Sequence, residues 1–327
     1  MPLHPVFQHL IQLAQSAGRP AIADCTPPQL RASLDGSRAA LGPGPAVGSV
    51  TEMHVPTRSG SVPARLYRPT DRAKGLIVYF HGGGWVCGSL DYYDGLAREL
   101  VHHSSCALLL VDYRLAPEHR FPAGLDDAED AIAWSFAARE RLAGDAVPFV
   151  VGGDSAGGNL AIVALAALRQ RVSCALQFLL YPVTDADFER DSYRLCSDGM
   201  PLTRADMRWF FEHYAPPGLW LTPRISPVRA DDLSGMPPTW IATAEYDVLR
   251  DEGEDYARRL AEAGVMVQLH RAAGMTHGFA HFANLVPPVS ELLQQLGQHV
   301  TSQCEDASLP APDSLPTQEP RNDARNT

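Results

Sequence analysis

Among the 327 residues there is no Cys-x-x-Cys pair, no Cys/His cluster at zinc-ligand spacing and no apolar run of membrane-spanning length. Each absence closes a class of function. The cysteines, at positions 25, 87, 106, 174, 196 and 304, are scattered, so neither a metal site nor a redox pair is expected. Cys106 in CALLLV and Cys174 in CALQFLL sit inside apolar runs, where a free thiol behaves as a small hydrophobe. Disulfides are therefore not expected, and a reducing, cytoplasmic setting is. A membrane span needs roughly 18–20 apolar residues, which no segment supplies, so no membrane insertion is expected. No Lys or Arg precedes Arg19, and MPLHPVFQHLIQLAQSAG lacks a strong uninterrupted apolar stretch, so it does not read as a signal peptide. Acidic residues outnumber basic ones by 38 to 27, for a formal charge of −11. That balance disfavours nucleic acid and anionic membrane as partners, since both reward a basic face.

What the chain does have is apolar material, 45% of it, over a length that suits about two domains or one large one. From about residue 48 to 303, compact apolar runs alternate with helical patterns. LIVYF (76–80), ALLLVDY (107–113), FVVGG (149–153), LQFLLY (176–181) and TWIATAE (239–245) read as strands buried on both faces. Helices are expected over 91–104, 122–143, 156–171 and 250–263, with Val265–His270 as one further strand. Two alternating runs, 50–56 and 62–68, meet near Ser59-Gly60 and read as a hairpin. The expected fold class is α/β: a mostly parallel sheet with helices on both faces. Three regions stand outside this rhythm. Residues 1–45 carry two helical patterns, 183–236 interrupt the strand–helix alternation, and the polar, Pro-containing stretch 304–327 reads as a disordered tail.

The densest chemical signal is Gly153-Asp154-Ser155-Ala156-Gly157, a G-x-S-x-G between a strand and a helix. A turn of this kind holds its serine in a strained conformation above the sheet, at a helix N-terminus that favours negative charge. Ser155 is the candidate nucleophile. A second signal, His81-Gly82-Gly83-Gly84-Trp85, directly follows the strand LIVYF. Residues without side chains let backbone N–H groups face an open site, so Gly83, Gly84 and Ala156 are candidate oxyanion donors. A phosphate loop would need GxxxxGK[ST] or GxGxxG leading into a helix, and neither is present.

HGGGW, DYRLAPEHRFPA (112–123) and GDSAGGNLA (153–161) together resemble the bacterial hormone-sensitive-lipase-like esterases of the α/β-hydrolase superfamily. The resemblance spans roughly residues 45–300, after a helical N-terminus like the family's. It implies an α/β-hydrolase fold with a helical cap, the serine of GDSAGG as nucleophile and HGGG as oxyanion loop. The acid and histidine would come from later strand ends.

A serine hydroxyl needs a base, itself oriented by an acid, and in this fold the chain order is Ser, Asp/Glu, His. His277 lies in a Gly-flanked loop, GMTHGF, and matches the family's HGF. His281 is the runner-up; His213, His270 and His299 sit in helical or strand patterns. Asp247 ends the strand TWIATAEY and matches the aspartate of the family's D-P-L-x-D-E. Val248 replaces that proline, which is expected to loosen the loop; Asp251 and Glu252 read as carboxylates opening the next helix, and Glu245 or Asp251 remains the alternative acid. Asp112, Arg114 and Glu118 read as a buried structural network. Tyr181-Pro182 is expected to fix the way into the cap. Trp85, Trp209, Phe210 and Tyr214 are candidates for an acyl pocket, with helix packing an equal account of the cap aromatics.

The expected activity is a serine carboxylesterase acting on short- to medium-chain acyl esters through an acyl-enzyme. The partner is thus a small-molecule ester, with no metal or organic cofactor. An amidase, lactonase or carbamate hydrolase would use the same triad. A non-catalytic receptor on a hydrolase scaffold would be recognised by a lost triad member. The catalytic core is expected over 46–303, with a lid built from 1–45 and 183–236 and a possible homodimer implied by the resemblance.

Overall fold

The computed structural model describes residues 1–308. The chain opens with helices α1 (Pro5–Ser16) and α2 (Pro27–Leu41). Thr26 and Gln29 close a capping box at the start of α2, with proline at its first position. The hairpin β1 (Ser49–Thr57) and β2 (Gly60–Arg68) follows. The alternation then runs β3 (Leu76–Phe80), α3 (Asp94–Ser104), β4 (Ala107–Val111), α4 (Ala123–Ala137) and α5 (Arg139–Ala143). It continues through β5 (Phe149–Asp154), α6 (Ser155–Leu168) and β6 (Leu176–Leu180). An excursion carries α7 (Asp191–Leu195) and α8 (Arg204–Tyr214). The chain then returns through β7 (Thr239–Tyr246), α9 (Arg250–Glu262), β8 (Val267–Thr276) and α10 (Pro287–Ser308).

The eight strands form one sheet in the order β1-β2-β4-β3-β5-β6-β7-β8. Only the β1–β2 and β2–β4 pairings are antiparallel; every pairing from β4 to β8 is parallel. Along β3 the side chains divide between two cores. Leu76, Val78 and Phe80 join the α4/α6 side, and Ile77 and Tyr79 join the α3/α10 side. That division is why the central strands read as unbroken apolar runs.

The excursion after β6 and the N-terminal helices touch one another. The Ala23 amide donates to Asp206 Oδ1 at 2.9 Å, and Asp206 also completes a capping box with Thr203 at the start of α8. Arg31 of α2 reaches across to the core, donating to the Val86 and Ala116 carbonyls and to both Glu118 oxygens.

Several boundaries differ from the sequence reading. The helix expected over 122–143 is two helices divided at Ala138. The last strand runs past the expected end at His270 to Thr276; its first half is exposed or half-buried and its last three residues are buried. The expected tail does not begin at 304: α10 continues to Ser308, with Cys304 1% exposed in the core beneath it. The rest of that expected tail lies outside the described residues. The presumed buried network is also only partly buried. Arg114 pairs with the fully buried Asp127, but Glu118 is half-exposed and pairs with Arg31. Asp112 faces His81 Nε2 at 3.7 Å.

Ending the chain after Gln303 removes the buried Cys304 side chain and the Lys74–Glu305 ion pair. A loss of about 1–3 kcal/mol in urea unfolding is expected, mostly from lost apolar burial; an unchanged midpoint would show that the last turn of α10 carries no load.

Candidate active site

The site forms where the C-terminal ends of β3, β5, β7 and β8 come together. Ser155 is the first residue of α6 and has φ 50°, in the left-handed region that non-glycine residues seldom occupy. Its flanking glycines are sterically required. A Cβ on Gly153 would lie 2.5 Å from the Gly157 carbonyl, and one on Gly157 would lie 2.0 Å from the Phe80 carbonyl oxygen. The first turn of α6 therefore packs directly on the end of β3 and the start of the HGGGW loop.

His277 follows the last residue of β8. Its Nε2 lies 3.0 Å from Ser155 Oγ, and its Nδ1 lies 2.7 Å from Asp247 Oδ2. A carboxylate only accepts, so Nδ1 carries the hydrogen and Nε2 is left to accept from the serine hydroxyl. Asp247 directly follows β7 and is 1% exposed; its Oδ1 accepts from the Leu249 amide at 3.0 Å. The Tyr181 ring stands edge-on to His277, with centroids 4.8 Å apart. Val248, at the position of the family's proline, is fully buried, and its carbonyl accepts from Ser192 Oγ at 2.6 Å.

The alternative residues are engaged elsewhere. Glu245 holds the Met1 ammonium and the Gly274 amide. Asp251 accepts from the Ser192 amide. Glu252, fully buried, accepts from the Thr184 and Asp185 amides and the Tyr193 hydroxyl. Burial pushes its carboxyl well above the usual range, with the Thr184 amide pulling the other way. His213 bonds the Trp209 carbonyl, His270 stacks on Trp240, and His299 lies in α10. His281 contacts the rings of Tyr92 and Tyr93, and burial together with nearby His277 lowers its pKa to about 3.

Gly83 and Gly84, both at positive φ, follow the end of β3. Among the described residues no protein acceptor takes their N–H groups, and Ala156 lies in the first turn of α6, where N–H groups have no intrahelical partner. Of the candidate pocket residues, Phe210 of α8 packs against Gly84, where a Cβ would stand 2.1 Å from the ring. Trp209 packs on Phe210 and His213. Trp85 and Tyr214 are each 1% exposed and stacked on one another at 4.2 Å, tying the HGGGW loop to the cap helix. A separate cavity of about 260 Å³ lies between the end of α2, the start of α3 and residues 280–284; Tyr92 and His281 line it, and Ser155 and His277 do not.

Sequence reasoning missed one buried group beside Ser155. Asp154 accepts from Tyr79 Oη at 3.0 Å, Tyr93 Oη at 2.9 Å and the Gly82 amide at 2.9 Å. Its place inside GDSAGG was visible, but partners this distant in sequence leave no local signature.

A family model for the α/β-hydrolase fold matches residues 77–281. The chain belongs to the α/β-hydrolase family, as a hormone-sensitive-lipase-like member. This hydrolase is 40% identical over 280 residues to a carboxylic ester hydrolase, LipN, of Mycobacterium tuberculosis, covering 79% of this chain and 73% of that one. It is 39% identical to an ethyl acetate hydrolase of Pseudomonas putida, over 77% and 83% of the two chains. Among solved structures, the hyperthermophilic esterase of Pyrobaculum calidifontis superposes with a TM-score of 0.87 at 37% identity, covering 92% of this hydrolase and 99% of that chain. Among the described residues no helix is long and apolar enough to cross a membrane.

The depressed His281 value has a definite sign. A histidine whose folded pKa lies below its unfolded value of about 6.5 binds protons mainly when unfolded, so it destabilises the fold as pH falls through that range. With the ring partly exposed, the loss at pH 5 is about 1–2 kcal/mol relative to pH 8. A His281→Gln variant is expected to show a flatter acid limb in thermal melts between these pH values; parallel limbs would contradict the assignment.

Proposed function

We propose that this carboxylic ester hydrolase works as a serine esterase, with Ser155, His277 and Asp247 as its triad and Gly83, Gly84 and Ala156 as oxyanion donors. The single observation that carries the reading is the continuous chain Asp247 Oδ2–His277–Ser155 Oγ, with links of 2.7 and 3.0 Å. Ser155 Oγ attacks the ester carbonyl while His277 Nε2 takes its proton. The negative charge that forms on the carbonyl oxygen meets the uncommitted N–H groups of the oxyanion loop and the first turn of α6. His277 then passes its proton to the departing alkoxide, leaving an acyl-Ser155 ester and the free alcohol. Water, deprotonated by the same imidazole, attacks the acyl carbon, and the carboxylic acid leaves as Ser155 regains its proton. Asp247 holds the tautomer throughout and stabilises the imidazolium.

The substrate class we assign is short- to medium-chain acyl esters. Phe210, 5% exposed and packed against Gly84, supports this by closing the space beside the oxyanion loop with an aromatic wall.

Two measurements test the reading. Ser155→Ala is expected to abolish labelling by an organophosphate and to lower ester turnover by on the order of 10⁵-fold or more, with the melting curve kept; retained turnover would sink the mechanism. Phe210→Val is expected to raise the ratio of kcat/KM for nitrophenyl octanoate over acetate by about tenfold. An unchanged ratio would place the acyl wall elsewhere.

A further inference from the structure

Asp154 occupies the N-cap position of α6, where an aspartate ordinarily bonds the first-turn amides of its own helix. Here it makes no such bond. Its side chain turns to the HGGGW loop instead: Oδ1 accepts from the Gly82 amide at 2.9 Å, and Oδ2 accepts from Tyr93 Oη at 2.9 Å. Tyr93 Oη in turn accepts from the same Gly82 amide at 2.8 Å, closing a three-membered ring of polar contacts. Asp154 is 2% exposed, and Tyr79 Oη donates to it from the adjacent strand. The closeness depends on Gly82, where a Cβ would stand 2.6 Å from Asp154 Oδ2.

The neighbouring loop atoms are also held. Tyr113 Oη donates to the His81 carbonyl at 2.8 Å, and His81 Nδ1 lies 2.8 Å from the Gly82 carbonyl. Polar partners thus fix the loop up to Gly82, and the next two amides are the ones left open. Asp154 directly precedes Ser155, so the same residue that starts the nucleophile turn also grips the loop of oxyanion donors.

We propose that Asp154 and Tyr93 are positioning residues that set the distance between Ser155 and the Gly83 and Gly84 amides. The inference rests on the serine-esterase reading above. By turning away from α6, Asp154 also leaves the Ala156 amide uncapped, so one side chain both aims two donors and frees a third. Misplaced donors weaken transition-state charge stabilisation far more than ground-state ester binding.

The test compares wild type with Tyr93→Phe, which deletes one oxygen and keeps the ring packing, and with Asp154→Asn. Hydrolysis of a nitrophenyl ester and inhibition by an aryl trifluoromethyl ketone, whose serine adduct carries an oxyanion, are measured across pH. Tyr93→Phe is expected to lower kcat about tenfold with KM within twofold. The ketone's Ki should rise by the same factor as kcat/KM falls, with the acid-limb pKa of kcat/KM unmoved. Asp154→Asn should lose more, and if it does not fold the Tyr93 variant alone decides. Unchanged kcat in Tyr93→Phe, unchanged ketone affinity, or a displaced acid limb that moves the fault to His277 would each overturn the proposal. If wild type itself neither cleaves the ester nor forms the ketone adduct, it is the serine-esterase reading that fails.

Discussion

The reacting end of the molecule depends on how closely the first turn of α6 approaches the end of β3. At Gly157 the helix lies so near the Phe80 and His81 carbonyls that a methyl group would overlap both. That contact forces the backbone through a tight turn with φ 50° at Ser155, a conformation costing on the order of 1–3 kcal/mol for a residue with a side chain. The surrounding sheet holds it. β5 lies between β3 and β6, all three strands fully buried, so the turn cannot relax without opening the core. Strain at Ser155 and burial of the central strands are therefore two sides of one arrangement.

The cap is fastened to this arrangement by charged and polar groups as well as by buried apolar side chains. Arg31 binds the segment after the oxyanion loop, Asp206 accepts from the N-terminal segment, and Glu252 accepts from the amides that lead into the cap. Buried carboxylates serve here because each meets backbone N–H groups that no strand or helix satisfies. Apolar contacts add to the same seam: Trp85 stacks on Tyr214, and Phe210 rests on Gly84.

How much of this is legible in the sequence depends on whether the cause is local. The central strands were readable because burial on both faces leaves only apolar residues, as in LIVYF. Ser155 and His277 were readable because the turns that carry them need glycines on both sides. β8 was read short because Arg271, exposed just past the expected end at His270, looks like a loop residue, and Gly274 interrupts the rest. The break at Ala138 had no signal, since neither glycine nor proline marks it. The role of Glu252 was hidden for another reason. A carboxylate at a helix N-terminus is ordinary, and only the fold shows that it faces Thr184 rather than its own helix.

The turn between β7 and α9 links these threads. Asp247 faces His277, while one residue later the Val248 carbonyl accepts from Ser192 of the cap. Asp251 and Glu252, four and five residues after Asp247, hold the amides of Ser192, Thr184 and Asp185. A short segment therefore faces the imidazole on one side and the base of the cap on the other. Val183, next to Thr184, donates its amide to the Ser155 carbonyl, so the connection closes back on Ser155. The base of the cap therefore bonds to the segments that carry both Asp247 and Ser155. In this fold the base of the cap, Asp247 and Ser155 share one network of hydrogen bonds.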